Sequence, residues 1–205
     1  MSSLVIASCN QNKIAEIRAI LGGIYDRILS MTEAGFSGEI EETGATFRDN
    51  AILKARAVME ATGMDSLADD SGLEVFALGG APGVLSARYS SRHGDDAANN
   101  VKLLRDMEHL SGKQRDAQFA CCIALARPGR PILTAEGTCP GTILREPRGT
   151  WGFGYDPLFY MPALGCTMAQ LIPEVKNAVS HRYNALRALL RLLEREKDSS
   201  CSLFP

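Results

Sequence analysis

The chain has no apolar run approaching the roughly 20 residues that cross a bilayer. Its first residues also lack a basic segment followed by an apolar one. A cytoplasmic protein is therefore expected, with no membrane partner. An excess of charge is missing too. Twenty-two lysines and arginines against 24 aspartates and glutamates leave a formal net charge of −2. That balance argues against broad binding along a nucleic-acid backbone, though it leaves room for a small anion in a local positive pocket. The cysteines, Cys9, Cys121, Cys122, Cys139, Cys166 and Cys201, include no Cys-x-x-Cys pair. None of His93, His109 and His181 stands beside a cysteine pair in a zinc-like spacing. The thiols read as reduced packing residues with no redox role. Internal repeats and low-complexity linkers are absent as well.

What is present suits one well-buried domain or two fused lobes: 205 residues, 45% hydrophobic and 22% charged. Apolar runs alternate with helical patterns. Leu4-Val5-Ile6-Ala7 reads as a buried strand, and residues 12–21 carry Ile14, Ile17, Ile20 and Leu21 on one helical face. Residues 47–60 read as a helix with Thr46 as N-cap and Asp49 three residues on, and residues 95–110 as another, opened by Asp95-Asp96. Strands are expected over 118–126 and 132–135, turns over 79–83 and 128–131, and one last helix over 175–197. The expected fold is α/β with a mixed sheet flanked by helices, drawn into two lobes with a cleft between them. A single domain over residues 1–198 and a frayed tail over 199–205 are expected.

Several segments suggest chemistry. Ala68-Asp69-Asp70-Ser71-Gly72 lies between two short apolar runs. Two adjacent carboxylates at a strand edge form a poor core but a good platform for a hard cation such as Mg²⁺ and an attacking water. An exposed turn is the competing reading of that tetrapeptide. Glu41-Glu42-Thr43-Gly44, ahead of the second helix, offers a further carboxylate or simply favourable helix-terminal charge. Ser8-Cys9-Asn10-Gln11-Asn12-Lys13 joins the first strand to the first helix. Backbone N–H groups and a mobile lysine there suit an anion, without the glycine pattern of a P-loop. Gly149-Thr150-Trp151-Gly152-Phe153-Gly154-Tyr155-Asp156-Pro157 interleaves aromatics with glycines, so that backbone can approach a planar ligand and a ring can stack on it. Lys176 and Ser180-His181-Arg182 lie on or beside the last helix.

Taken in order, these segments resemble the inosine triphosphate pyrophosphatase family over residues 5–193. The resemblance is carried by Asn10 with Lys13, Glu42-Thr43-Gly44, Asn50-Ala51-Ile52-Leu53-Lys54-Ala55, Ala68-Asp69-Asp70-Ser71-Gly72-Leu73 and Gly79-Gly80-Ala81-Pro82-Gly83. Ser86-Ala87-Arg88-Tyr89, Gly152-Phe153-Gly154-Tyr155-Asp156-Pro157 and Ser180-His181-Arg182 complete it. It implies an elongated α/β fold with a mixed central sheet flanked by helices and an active-site cleft between two lobes, in a Mg²⁺-dependent homodimer that hydrolyses deaminated purine nucleoside triphosphates (dITP, ITP, XTP) to the monophosphate and pyrophosphate. It implies Asp70 as catalytic base and metal ligand, and Glu42 as the other ligand. Ser8, Cys9, Asn10, Gln11, Asn12 and Lys13 would cradle the triphosphate. Ser71, Phe153, Gly154, Tyr155, Asp156, Lys176, His181 and Arg182 would line the nucleotide pocket. Selection for an oxygen at the purine six-position is expected from N–H donors near residues 153–156, with His181 and Arg182. Cys9 and Trp151 depart from the family, standing where many members have glycine.

Overall fold

The structure, a computed structural model, describes residues 3–91 and 94–201. In chain order the elements are β1 (Ser3–Ile6), α1 (Gln11–Leu21), β2 (Arg27–Ser30), α2 (Phe47–Thr62), β3 (Asp65–Val75) and α3 (Asp96–Asp106). There follow β4 (Asp116–Ala126), β5 (Leu133–Ile143), β6 (Phe159–Met161), β7 (Cys166–Thr167), α4 (Pro173–Val179) and α5 (His181–Cys201). Among the described residues the strands form a seven-stranded sheet in the order β2-β1-β3-β4-β5-β6-β7. β1 runs parallel to β2 and β3, whereas β6 is antiparallel to both β5 and β7. The expected α/β class and mixed sheet are borne out.

The chain divides into two compact units. One takes in the chain up to Asp70, then Cys121–Gly137 and the chain from Arg182; the other takes in Ser71–Ala120 and Thr138–His181. In the first unit the two-residue period of strands sorts side chains onto two faces. Leu4, Ile6, Leu67, Cys121, Ile123 and Leu125 share a core with Ile14 and Ile17 of α1 and with Leu186 and Leu189 of α5. Val5, Ala68, Cys122, Ala124 and Ala126 share a separate core with Ala51, Ala55 and Val58 of α2. In the second unit Leu73, Val75, Leu103, Met107, Phe119, Tyr155, Leu158 and Phe159 pack together.

Local chemistry explains the helix ends. Asn10 caps α1, its Oδ1 accepting from the N–H groups of Asn12 and Lys13 at 3.0 and 3.1 Å. Thr46 and Asp49 form the capping box of α2, each side chain accepting from the other's backbone N–H. That helix stops at Gly63, which takes the left-handed conformation at φ +67°.

Three expectations change. The acid pair lies inside the continuous 11-residue β3 rather than at a strand edge or in a turn. The last helix is two helices, because Ser180 is extended at φ −71° and ψ 161° between α4 and α5. A serine is a favoured residue just ahead of a helix, since its hydroxyl competes for backbone groups. β2, β6 and β7 have only 4, 3 and 2 residues, too few to show a period. α5 continues to Cys201, past the expected start of a frayed tail, and residues 202–205 lie outside the described ones.

Just beyond the acid pair, β3 is stitched to the turn that follows it. Ser86 Oγ accepts from the Leu73 N–H at 2.9 Å and donates to the Gly83 carbonyl at 2.6 Å. A Cβ on Gly72 would stand 2.3 Å from Ser86 Oγ and 2.6 Å from the Gly83 oxygen. Backbone cannot retreat from such a contact, so Gly72→Ala is expected to cost about 1–3 kcal/mol as an overpacking change. Urea denaturation measures it; a midpoint equal to the parent's would contradict the packing described.

Candidate functional site

Successive strand residues point to opposite faces, so Asp69 and Asp70 diverge although they are neighbours. Asp69 follows Leu67 toward α1 and α5; Asp70 follows Ala68 toward α2. Asp69 pairs there with Lys13 and Arg182, and Asp70 with Lys54.

Asp69 is 1% exposed. Lys13 Nζ of α1 donates to its Oδ1 at 2.6 Å, and Arg182 of α5 donates through Nε to Oδ2 at 2.8 Å and through Nη2 to Oδ1 at 3.4 Å. The Cys121 thiol of β4 donates to the same Oδ2 at 3.1 Å. Arg182 also donates to Glu16 of α1. Burial makes the Asp69 charge costly, but the Arg182 guanidinium and Lys13 ammonium outweigh it and hold the carboxyl well below its ordinary value. Asp69 is thus a buried anion that gathers α1, β4 and α5 around one oxygen pair.

Asp70 is 6% exposed and faces a different set. Lys54 Nζ of α2 donates to Asp70 Oδ1 at 2.6 Å and to Glu42 Oε1 at 2.7 Å. Asn50, one turn earlier on α2, donates through Nδ2 to Asp70 Oδ2 at 3.3 Å and accepts the Gly44 N–H at 2.7 Å. Gly44 has no room for a side chain, as a Cβ would meet Asn50 Oδ1 at 2.6 Å. Burial pushes the Asp70 carboxyl above its ordinary value; Lys54 and Lys13 pull against that, and Glu42 adds to it. Burial disfavours the Lys54 charge, yet Asp70 and Glu42 reverse the balance and keep its ammonium protonated. The first sequence reading, in which the two adjacent aspartates share one cation platform, is corrected here. The carboxylates that come together are Glu42 and Asp70.

The segment Ser8 to Lys13 is a capped helix start. Ser8 Oγ accepts from the Asn10 N–H at 3.1 Å, and Gln11 Nε2 reaches the Cys9 carbonyl at 3.5 Å. The N–H groups of Asn12 and Lys13 already serve the Asn10 cap. Lys13, expected to be mobile, is pinned to Asp69.

In the second unit Asp156 organises the aromatic-glycine loop. Its Oδ2 accepts the Phe153 N–H at 2.9 Å and an ammonium proton of Lys176. Lys176 Nζ lies 4.5 Å above the Phe153 ring, a cation–π arrangement. The Gly154 N–H donates to Asp96 Oδ2 at 2.7 Å, and the Tyr155 hydroxyl donates to the Ser86 carbonyl at 2.9 Å. Two of the backbone donors expected to read a purine, those of Phe153 and Gly154, are therefore engaged by carboxylates. His181 is buried and stacks on Phe119 with ring centroids 4.8 Å apart. Arg182, expected beside it in the nucleotide pocket, is 1% exposed and committed to Asp69 and Glu16. His181 and Arg182 are successive residues at the start of α5, and a helix turns successive side chains to different sides.

Sequence reading gave no part in the site to Glu16, read Cys121 only as a packing residue, and placed Asn50 and Lys54 in a family motif without a role. Asn50 and Lys54 were visible four residues apart on the second helix, one turn of a common face, which is the signal that could have found them. Among the described residues no group of three or more His, Cys, Asp or Glu gathers around a common point.

An α/β protein with two buried, ion-paired acids on one strand is thus defined. A model of the Ham1 family matches residues 4–192. The chain is 50% identical over 189 residues to the dITP/XTP pyrophosphatase of Geobacter sulfurreducens, covering 92% of this chain and 95% of that one. It is 47% identical over 194 residues to the dITP/XTP pyrophosphatase of Halalkalibacterium halodurans, covering 95% and 100%. A HAM1 protein structure from Coxiella burnetii matches with a TM-score of 0.85 at 43% identity, covering 95% of this chain and all 100% of that one. The chain belongs to the Ham1 family, and the family resemblance read from its motifs stands.

Asp69 titrates lower in the folded chain than in the unfolded one. Its contribution to stability is complete above the unfolded value of about 3.9 and is lost as pH falls toward the folded value. Asp69→Asn leaves Arg182 and Lys13 facing a neutral group and is expected to cost about 3–5 kcal/mol at neutral pH. Denaturation followed from pH 7 downward should show the variant's acid limb flattened; an acid limb as steep as the parent's would contradict this.

Proposed function

We propose that this chain hydrolyses deaminated purine nucleoside triphosphates, dITP, ITP and XTP, at the α–β phosphoanhydride bond, releasing the nucleoside monophosphate and pyrophosphate. Relatives that match 92–95% of its length carry the name dITP/XTP pyrophosphatase. The observation that carries the reading is the pairing of Glu42 and Asp70 around one buried ammonium, Lys54. Two carboxylates that reach the same nitrogen are close enough to share a small hard cation, with phosphate and water oxygens completing its shell. The donor set therefore fits Mg²⁺. Bound there, Mg²⁺ would neutralise phosphate oxygens and orient the attacking water.

The chain's own residues do the rest in this reading. Asp70 takes the proton of the attacking water, a role favoured by the burial that makes its carboxylate more basic. Lys54 and Asn50 fix its two oxygens. Lys13, held by Asp69, and the start of α1 balance charge on the departing pyrophosphate. Phe153 supplies a stacking face for the base, and Lys176, which can only donate, suits an oxygen rather than an amino group at the six-position. Ser8, Cys9, Asn10, Gln11 and Asn12 with the phosphates, and Ser71, Gly154, Tyr155, Asp156 and His181 with the nucleoside, complete the binding set. A homodimer in the cytoplasm belongs to the same reading.

Asp70→Asn is expected to keep the fold and to lower pyrophosphate release about 10²-fold or more. The assay couples release to inorganic pyrophosphatase with dITP as substrate. EDTA should abolish the parent's activity and added Mg²⁺ restore it; near-normal release by the variant, or full activity in EDTA, would overturn the mechanism. With dITP and ATP in competition, kcat/KM should favour dITP by about tenfold or more, since unpaired buried donors penalise the amino-bearing base. Equal values would remove the purine reading.

A further inference from the structure

Gly154 is held at both ends of its backbone by one helix. Its N–H donates to Asp96 Oδ2 at 2.7 Å and its carbonyl accepts from Asn100 Nδ2 at 2.9 Å. Asp96 and Asn100 are four residues apart on α3, so they stand one above the other on a single face. Gly154 adopts the left-handed conformation at φ +63° and directly follows Phe153. On the other side of that loop Asp156 holds the Phe153 N–H. The Phe153 ring is therefore carried by a segment clamped from two directions, Asp156 within the loop and α3 outside it.

The α3 clamp is poorly explained as fold stabilisation. Asn100 Oδ1 is buried and has no hydrogen-bond partner among the described residues. A buried acceptor left unpaired is unfavourable, so an apolar residue of similar size would serve the interior better. What asparagine adds is an N–H for the Gly154 carbonyl. Asp96 is exposed, and the helix it opens is already capped by Asp95, whose Oδ1 accepts the Ala98 N–H at 3.0 Å. What Asp96 adds is an acceptor for the Gly154 N–H. Departures from the locally best residue are expected where a site needs a particular geometry.

We propose that Asp96 and Asn100 are positioning residues that hold the Phe153–Asp156 loop in the shape that selects the purine. The inference rests on the pyrophosphatase reading and adds to it a second tier, remote from the phosphates, that acts on the base alone. A misplaced base-binding loop weakens recognition of the favoured base while leaving phosphate chemistry intact.

The test uses the full chain and three variants: Asp96→Ala, which removes the acceptor; Asp96→Asn, which keeps a neutral acceptor of the same size; and Asn100→Leu, which removes the donor and fills the space with carbon. Steady-state kinetics with dITP and with ATP are measured beside thermal denaturation. Asp96→Ala and Asn100→Leu should each reduce the dITP-to-ATP ratio of kcat/KM by about tenfold, through KM for dITP, with kcat within about twofold of the parent. Asp96→Asn should restore most of the ratio, and Asn100→Leu should denature at the parent's temperature or above it. Stability and selectivity moving in opposite directions is a result that a purely structural role does not produce. An unchanged ratio, an equal loss on both substrates, or an Asp96→Asn variant as impaired as Asp96→Ala would each overturn the positioning role while leaving the pyrophosphatase reading in place. A parent that shows no preference for dITP would instead remove that reading, and this inference with it.

Discussion

The side-chain alternation of one strand governs the charged chemistry of this protein. On a helix, adjacent Asp69 and Asp70 would lie about 100° apart, and in a turn they would face common solvent. On β3 they diverge, one into the layer of α1 and α5 and the other into that of α2. Their mutual repulsion is reduced by that divergence, and each acid forms its own ion pairs, Asp69 with Lys13 and Arg182 and Asp70 with Lys54. The outcomes differ in sign. Asp69 is over-compensated by Arg182 and Lys13, so its carboxyl is held well down. Asp70 is under-compensated, and burial leaves it more basic than an ordinary aspartate.

That asymmetry separates two tasks which the sequence writes as one dipeptide. A fully buried ion pair is weak as a source of net stability but expensive to break, because removing one partner leaves the other unpaired. Asp69 fits this description. Its oxygens tie α1, β4 and α5 together, and the Cys121 thiol is one of the ties rather than a reactive group, with its pKa raised chiefly by burial. Asp70 is the opposite case, a carboxylate kept basic in a site where Asn50 and Lys54 fix its orientation. Arg182 follows from the same division. Its charge supports Asp69, which in turn immobilises Lys13.

The aromatic-glycine loop is organised by comparable means on a smaller scale. Carboxylates on either side, Asp96 and Asp156, engage the N–H groups of Gly154 and Phe153. Charge-assisted hydrogen bonds of this kind are short and directional, suited to holding a loop that glycines would otherwise leave free. A Cβ on Gly152 would stand 2.1 Å from Asp156 Oδ2, so the loop closes on its own carboxylate only because that residue lacks a side chain. Trp151, one residue before it, remains 53% exposed and outside this packing.

Local pattern alone determined β1, by its unbroken apolar run, and α1, α2 and α3, because each helix is long enough or capped clearly enough to be read. Thr46 with Asp49 before α2 is an example. It also determined which segments carry charge, glycine and aromatic rings, and so the family. It did not reveal β2, β6 and β7, which are too short to show a period, or the break at Ser180 that divides α4 from α5. The partner of each charge was equally hidden. Lys13 and Asp69 are 56 residues apart, and Arg182 and Asp69 are 113. Pairings over such separations are set by which sheet face each side chain occupies and which helix covers that face. Residue types are a property of the chain, but the face on which a carboxylate meets a cation exists only once strands and helices have packed.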